Sequence, residues 1–274
     1  MAEALPQAAE VKSCCVTAYS SDLVGLLLGD SYHPGGLALT RRVAAAVEMR
    51  PGQRVLDVAA GRGTSALLFA REYDVDVIGV DLAPANVALA TGAAQAADLA
   101  TRATFRVGDA EHLPLPDGSV DAIVCECALC IFPDKTAAAG EFARVLRPGG
   151  RVGLTDVTAL QDQLPPELTT LGAWIACVTD ARPAAQYAEL FTDAGLRVTA
   201  IERHDAVVGR MIDQIEARLE FLRLTAHGKL EANGIVIDQA APVLAAARTA
   251  LADGLLGYSM LIAHKDPQDV GVQL

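Results

Sequence analysis

The alternation of apolar segments between residues 54 and 157 constrains the fold more than any other feature of the chain. Short runs rich in β-branched residues are separated by longer alanine-rich segments with helical spacing. Strands joined through helices of this length form a mostly parallel sheet by right-handed crossovers, with helices on both faces. The predicted strands are 54–59, 75–81, 103–109, 120–126 and 151–157, and the predicted helices among them are 64–73, 84–97 and 134–146.

The flanking segments extend this pattern. A helix is predicted before it, at 37–49. After it we predict a helix at 184–195, a strand at 196–205, two helical stretches at 208–226 and 239–253, and a last strand at 257–266. The expected fold is therefore α/β, with a doubly wound, mostly parallel, seven-stranded sheet. We divide the chain into a lid segment with cysteines (1–36), a central domain (37–160), and a segment (161–274) that covers the substrate and adds the C-terminal strands around inserted helices.

Charge and hydropathy exclude several classes of partner. The 274 residues carry 34 acidic and 22 Lys or Arg side chains, a formal charge of −12, and such a surface repels nucleic acid. No apolar run is long enough for a membrane span and no signal peptide is evident, so we expect a cytoplasmic protein without a membrane partner. Thiols are kept reduced there, so the six cysteines are expected to be buried apolar residues, metal or metalloid ligands, or redox-active groups.

A small-residue turn follows the first predicted strand, in the run Asp57-Val-Ala-Ala-Gly61-Arg-Gly63. Its glycines allow the backbone to approach a ligand, and the next helix begins there with free N–H groups. Gly61, Gly63 and Ala66 also fit the dinucleotide pattern, in which Asp81 would bind a ribose. The acid inside the first strand is not part of that pattern, so the context favours a different cofactor.

Residues 50–160 resemble class I S-adenosylmethionine-dependent methyltransferases. The runs "VLDVAAGRG", "VIGVDLA", "VGDAEHLPLPDGSVDAIV" and "RVLRPGGRVGLTD" stand in the order and spacing of that family. The resemblance implies that the first run cradles the methionine half of S-adenosylmethionine, that Asp81 accepts from the ribose hydroxyls, and that Asp109 lies by the adenine amino group. The cofactor-binding residues it implies are Asp57, Ala59, Gly61, Gly63, Asp81, Leu82, Asp109, Ala110 and Glu126. No structural metal is expected.

The cysteines come from three distant parts of the chain. Cys127 ends the fourth predicted strand, so we expect it to face the crevice at the carboxyl ends of the strands. Cys177 follows the fifth strand, and Cys14 and Cys15 precede the central domain, so both regions could reach the same crevice. Cys125 is predicted to be a buried core residue, and Cys130 is left open between packing and the crevice. A structural zinc site is a less favoured hypothesis, because the cysteine cluster 125–130 offers only three of the four ligands that zinc needs. A redox-active Cys-x-x-Cys pair at 127–130 is also possible, but the sequence around it is not thioredoxin-like.

A narrower resemblance concerns arsenite S-adenosylmethionine methyltransferases. It rests on "CALCIFPDKTAAAGEFARVLRPGGRVGLTDV", on "ACVTDARPAAQYAELFTDAGL", and on the cysteine pair ahead of the cofactor domain. This resemblance implies that Cys127, Cys177 and one of Cys14 or Cys15 are catalytic ligands of trivalent arsenic, a soft ion that prefers thiolates. It also implies a metalloid substrate and a thiol reductant such as glutathione or thioredoxin, for arsenic detoxification.

Two alternatives stay open at this stage. The chain could methylate a small organic acceptor with its cysteines serving as packing, or it could bind a metalloid or zinc without catalysis. The N-terminal segment is shorter than in the better-known arsenite enzymes, which leaves the number of methyl groups transferred open. The five histidines are interpreted mainly as structural, with His33 and the neighbouring Tyr32 as weak exceptions.

Overall fold

A computed structural model describes residues 8–19, 28–29, 32–169, 178, 180–232 and 237–267. Within these residues, no helix combines the length and the apolar character needed to cross a membrane. The helices are α1 (Ala8–Tyr19), α2 (Gly36–Ala46), α3 (Thr64–Glu72), α4 (Pro84–Ala96), α5 (Lys135–Val145), α6 (Ala184–Asp193), α7 (Ala206–Ala232) and α8 (Ile237–Ala252).

Seven strands form one sheet in the described part of the chain, in the order β3-β2-β1-β4-β5-β7-β6. Strands β1 to β5 pair in parallel, whereas β7 runs antiparallel to both β5 and β6. The predicted fold class and strand number are confirmed. The strands are β1 (Arg54–Val58), β2 (Asp76–Asp81), β3 (Ala103–Val107), β4 (Val120–Glu126), β5 (Leu146–Ala159), β6 (Arg197–Arg203) and β7 (Leu256–His264).

The central strands are buried on both faces. Leu56 and Ile123 pack into one apolar cluster with helices α5 and α6, while Val55 and Val124 pack into another with α2 and α3. Burial on two faces explains why these strands read as continuous apolar runs rather than as alternating ones. The carboxyl ends of β1, β2 and β4 consequently meet at one edge of a covered sheet.

Strand β5 begins earlier than predicted. The sequence pattern suggested a turn at 148–150 and a strand from 151, but the strand runs from Leu146. Its pairing with β4 shifts register between Val120 and Ala122, and Gly149 has a φ of 80°. A side chain at Gly150 would place its Cβ 2.8 Å from the carbonyl oxygen of Asp121. The glycines therefore form a bulge within the strand instead of a loop before it.

The helices inserted between β6 and β7 cover the end of the sheet that carries the site. Ile212 of α7 and Ala250 of α8 are buried in a third apolar cluster with Val157 and Tyr258 of the sheet. Cys130 is buried in this cluster, and Cys127 packs against it. The insertion thus supports the chain just beyond the end of β4.

Candidate functional site

A cavity lies at the carboxyl ends of the strands, where the loop after β1, the ends of β2, β3 and β4, and helix α1 come together. It contains eight of the nine residues that the sequence predicted for a cofactor: Asp57, Ala59, Gly61, Asp81, Leu82, Asp109, Ala110 and Glu126. Gly63 does not line it. Instead Gly63 starts α3 with a φ of 82°, and a Cβ there would lie 2.9 Å from Ala90. This glycine serves the turn and the close packing of the helices.

The turn after β1 is tied to the end of β2 through one carboxylate. Gly61 N donates to Asp81 Oδ2 at 2.8 Å, and Ala83 N donates to Asp81 Oδ1 at 2.9 Å. Burial raises the pKa of Asp81 even though these hydrogen bonds favour its charged form. Gly61 has a φ of 54°, and a Cβ at this position would meet no atom of the described structure within 4 Å. The loop is therefore held in place with its backbone open to the cavity.

Asp57 is a buried carboxylate that faces other acids. It is 3% exposed, and its Oδ2 has no hydrogen-bond partner among the described residues. Burial, followed by the charges of Glu126 and Asp81, raises the pKa of Asp57 well above its usual range. A buried acid of this kind is costly unless a ligand supplies a positive partner.

Replacing Asp57 by Asn should stabilise the ligand-free protein by about 1–3 kcal/mol at pH 8, because a buried charge without a partner is removed. The folded state holds the Asp57 proton to higher pH than the unfolded chain does. The free energy of unfolding should therefore fall as pH rises above the ordinary carboxyl pKa, and Asp57→Asn should flatten this fall. Urea unfolding at pH 5 and pH 8 measures both effects. The exposed Asp253→Asn is the control, and equal stabilities of Asp57→Asn and wild type at pH 8 would contradict the expectation.

The carboxylate of Glu126, at the end of β4, is held by three side chains. Ser65 Oγ donates to Glu126 Oε2 at 2.5 Å and Thr40 Oγ1 donates to Oε1 at 3.1 Å, while His33 Nε2 lies 3.6 Å from Oε2. The other ring nitrogen of His33 lies 3.4 Å from the carbonyl oxygen of Pro34. Both nitrogens of this cavity-lining histidine thus lie near protein oxygen atoms, with Nε2 facing Glu126 and Thr40.

Negative charge dominates the cavity. Among the described residues that line it are five acids and two basic side chains, Asp57, Asp81, Asp109, Glu111, Glu126, Lys12 and Arg62. In the cavity wall, the ring centres of Tyr19 and Tyr32 lie 6.3 Å apart, and the Arg62 guanidinium lies 5.6 Å from the Tyr32 ring centre. The arrangement suits a ligand with positive charge and aromatic or apolar surface.

Two of the predicted thiols line this cavity. Cys15 of α1 and Cys127 belong to its wall, whereas Cys14, on another face of α1, does not. Cys125 and Cys130 are both 0% exposed, so the prediction that Cys125 is a core residue is confirmed, and Cys130 also belongs to the core. Burial, with the charges of Asp156 and Asp57, raises the pKa of the Cys125 thiol well above its usual range.

The backbone of Cys127 is in the left-handed region, with a φ of 53°. Its N–H donates to the carbonyl oxygen of Thr155 at 2.7 Å, which fixes the sharp turn at the end of β4. A residue with a Cβ in this conformation costs on the order of 1 kcal/mol, and such strain concentrates at functional sites. Cysteine occupies this position in the cavity wall, although glycine would adopt the same backbone conformation with less strain.

This strain can be measured with two variants that both lack the thiol. Cys127→Gly should be about 1 kcal/mol more stable than Cys127→Ala, because only glycine adopts the left-handed conformation without a penalty. Urea unfolding of the two purified proteins gives the difference. Equal stabilities would mean that the turn relaxes at no cost.

The third predicted ligand, Cys177, lies outside the described residues. Its chain neighbour Val178 is buried in the cluster that Cys127 packs against, together with Ala181. Lys135, 5% exposed, donates to the Asp180 carboxylate and, at 3.0 Å, to the carbonyl oxygen of Phe132. Lys135 thus links Asp180 to Phe132, a residue of the cavity wall. Within the described ranges, no three His, Cys, Asp or Glu side chains are grouped so that they could hold a metal ion.

Sequence reasoning missed Lys12, Thr40 and Ser65. Lys12 Nζ lies 2.6 Å from Asp109 Oδ2 and also pairs with Glu111. The signal that could have found it is helical spacing, since Lys12 stands three residues before Cys15. Thr40 carried no signal, because nothing in the chain indicates that α2 begins near the end of β4. Ser65 could have been found, because it stands at the start of the predicted helix 64–73, at the edge where the carboxyl ends of the parallel strands meet.

The chain is similar in sequence to known methyltransferases. Residues 56–154 match the family described as "Methyltransferase domain". The chain is 29% identical over 262 residues to 27-O-demethylrifamycin SV methyltransferase of Amycolatopsis mediterranei. This match covers 89% of this chain and 93% of that protein. It is 33% identical over 164 residues to arsenite methyltransferase of Halobacterium salinarum. This second match covers 57% of this chain and 40% of that protein.

Among solved structures, the [4+2]-cyclase SpnF has the same fold. The TM-score is 0.77 at 24% identity, over 96% of this chain and 98% of SpnF. A cyclase on this fold shows that the architecture alone does not define the reaction, so the acceptor must be argued from the cavity.

Proposed function

Because the chain carries a class I S-adenosylmethionine-dependent methyltransferase domain, we propose that it methylates trivalent arsenic, as arsenite or methylarsenite, held by cysteine thiolates at the cofactor cavity. The observation that carries this proposal is the pair of thiols from distant parts of the chain, Cys15 and Cys127, in the wall of one cavity. The left-handed backbone at Cys127 supports it, since such strained positions concentrate at functional sites and this one lies in the cavity wall.

The residues present fit S-adenosylmethionine. In this proposal the unpartnered oxygen of Asp57 and the open backbone at Gly61 receive the methionine half, Asp81 receives the ribose hydroxyls, and Asp109 with Ala110 lies at the adenine. When bound, the cofactor supplies an electrophilic methyl group on a positively charged sulfur. The excess of carboxylates along the cavity favours that charge, and Glu126 is held in place to contribute to it.

Trivalent arsenic suits the thiols that the chain offers. Cys127 and Cys15 supply two soft sulfur ligands, and we assign the third to Cys177. Three thiolates leave the arsenic lone pair as the nucleophile, so no general base is needed. This agrees with His33, whose two ring nitrogens are occupied by Pro34 and by the Glu126 and Thr40 side chains.

The proposed reaction also needs a reductant. Arsenic gives its lone pair to the new carbon–arsenic bond while the carbon–sulfur bond to the transferred methyl group breaks. S-adenosylhomocysteine leaves with that electron pair, and arsenic becomes formally pentavalent. Two thiols return two electrons to it and leave as one disulfide, which restores the trivalent state. A thiol pool such as glutathione or thioredoxin supplies these electrons, and detoxification in the cytoplasm is the setting that we propose.

The test is an assay with purified protein, arsenite, S-adenosylmethionine and glutathione, in which methylated arsenic species are separated and quantified. Methylarsenic formed in proportion to enzyme is the expected result. Denatured enzyme is the control for chemical methylation. Absence of any methylated arsenic, from protein that binds S-adenosylhomocysteine normally, would exclude the proposal.

A small organic acceptor is the second candidate. The match to the rifamycin methyltransferase covers 89% of this chain, and the cavity wall contains Tyr19, Tyr32, Ile131 and Phe132, which offer aromatic and apolar surface. This candidate predicts no arsenite-dependent turnover. It further predicts that Cys15→Ser leaves methylation of the true organic substrate unchanged.

A further inference from the structure

Helix α1 contacts the rest of the protein through both apolar and charged side chains. Val11 is the one residue of α1 that is buried among those whose side chains the structure describes, and Tyr19 packs against Tyr32 and the third apolar cluster. The charged contact is made by Lys12. Lys12 Nζ donates to Asp109 Oδ2 at 2.6 Å and to Glu111 Oε2.

The two carboxylates that accept from Lys12, those of Asp109 and Glu111, are held in place by backbone hydrogen bonds. Glu111 N donates to Asp109 Oδ1 at 3.0 Å, and Asp134 N donates to Glu111 Oε1 at 2.9 Å. Asp134 in turn caps α5 by accepting from Ala137 N at 2.8 Å. Lys12 therefore joins α1 to a structure that already connects the end of β3 to the start of α5.

The charges at this junction favour docking. Burial alone would lower the pKa of Lys12, but its hydrogen bonds and charge interactions with Asp109 and Glu111 outweigh burial and raise the pKa. Burial would likewise raise the pKa of Asp109, yet Lys12 and the Glu111 N–H lower it. Without the lysine, Asp109 and the mostly buried Glu111 would face each other with no counter-charge.

One face of α1 carries both Lys12 and a cavity thiol. The cavity-lining residues of the helix are Lys12, Cys15, Val16 and Tyr19, at positions i, i+3, i+4 and i+7. Cys14 lies about 100° away from Cys15 around the helix and is not in the wall. The rotation of α1 about its axis thus decides which thiol of the pair faces the cavity.

We propose that Lys12 is a positioning residue, which docks α1 on Asp109 and Glu111 and thereby holds the Cys15 thiol, rather than that of Cys14, in the cavity wall. The role of Cys15 as an arsenic ligand rests on the proposed function, but its placement by Lys12 does not. The same contact closes α1 over Asp109, the residue expected at the adenine.

The test uses the Cys14→Ser protein and measures the rate at which N-ethylmaleimide alkylates Cys15. Mass spectrometry of the peptide that contains Cys15 gives this rate. Lys12→Met should accelerate this alkylation about fivefold or more, because α1 then spends more time undocked. Lys12→Arg, which retains the charge, should restore a rate near that of wild type. Arg41→Met, which removes an exposed pair with Glu72, is the matched control and should leave the rate unchanged.

Salt provides a second readout. Raising NaCl to 1 M should accelerate Cys15 alkylation in the Cys14→Ser protein and have little effect when Lys12 is also replaced by Met, because the ion pair that salt weakens is then absent. An unchanged alkylation rate in Lys12→Met, or equal salt responses with and without Lys12, would overturn the proposal. Since arsenic is absent from this experiment, a negative arsenite assay would remove the proposed function and leave the positioning role standing.

Discussion

Cys127→Ser should reduce arsenite methylation by at least about 100-fold, while the cofactor affinity stays near that of wild type. Serine has nearly the same shape as cysteine, but its hard oxygen is a poor ligand for a soft trivalent ion. Cys127 lies in the cavity wall, so the change removes a proposed ligand without opening the core. Turnover is measured by arsenic speciation, and cofactor affinity by calorimetry with S-adenosylhomocysteine.

The two cysteines of α1 supply a matched control for this experiment. Cys15→Ser should lose activity in the same way as Cys127→Ser, whereas Cys14→Ser, one residue away and outside the cavity wall, should retain it. Cys177→Ser should behave like Cys15→Ser if it is the third ligand. Full activity in Cys127→Ser would exclude the thiolate mechanism and favour the organic acceptor.

Asp81→Asn should weaken binding of S-adenosylhomocysteine on the order of 100-fold, because charge-assisted hydrogen bonds to the ribose are lost. The same carboxylate accepts from Gly61 N and Ala83 N, so the turn after β1 loses part of its support as well. Calorimetric titration of the purified variant measures the affinity.

Asp76→Asn is the control for this change, because Asp76 is exposed at the start of the same strand. It should bind the cofactor product like wild type. Wild-type affinity in Asp81→Asn would show that the ribose is held elsewhere, and the assignment of the whole cavity to S-adenosylmethionine would then fail.

The core strands were predictable because a strand that is buried on both faces requires a nearly continuous apolar segment in the sequence. Residues 54–58 and 120–126 are apolar runs that only a covered parallel strand requires, and both lie within the predicted ranges. The start of β5 was not predictable. Its glycines suggest a turn locally, but in the structure they allow close approach to Asp121 on the neighbouring strand, a contact that depends on sheet register.

The candidate site divides in the same way. The loop after β1 and the acids Asp57 and Asp81 were predicted because their motifs resemble those of methyltransferases, and parallel strands bring their carboxyl ends to one edge. Lys12, Thr40 and Ser65 were missed because they reach the site from helices. The direction in which a helix presents a side chain depends on its rotation against the sheet, which local sequence does not specify.

By itself, the sequence determined the class of fold and the core strands of its sheet, since both depend on short-range periodicity. The acids and glycines at the strand ends were indicated by motifs that resemble those of methyltransferases. Only the tertiary structure decided that Cys15 and not Cys14 lines the cavity, that Cys127 has a left-handed backbone, and that Lys12 docks α1. These features depend on contacts between residues about 100 positions apart in the chain, such as Lys12 with Asp109, and the packing of the whole domain sets them.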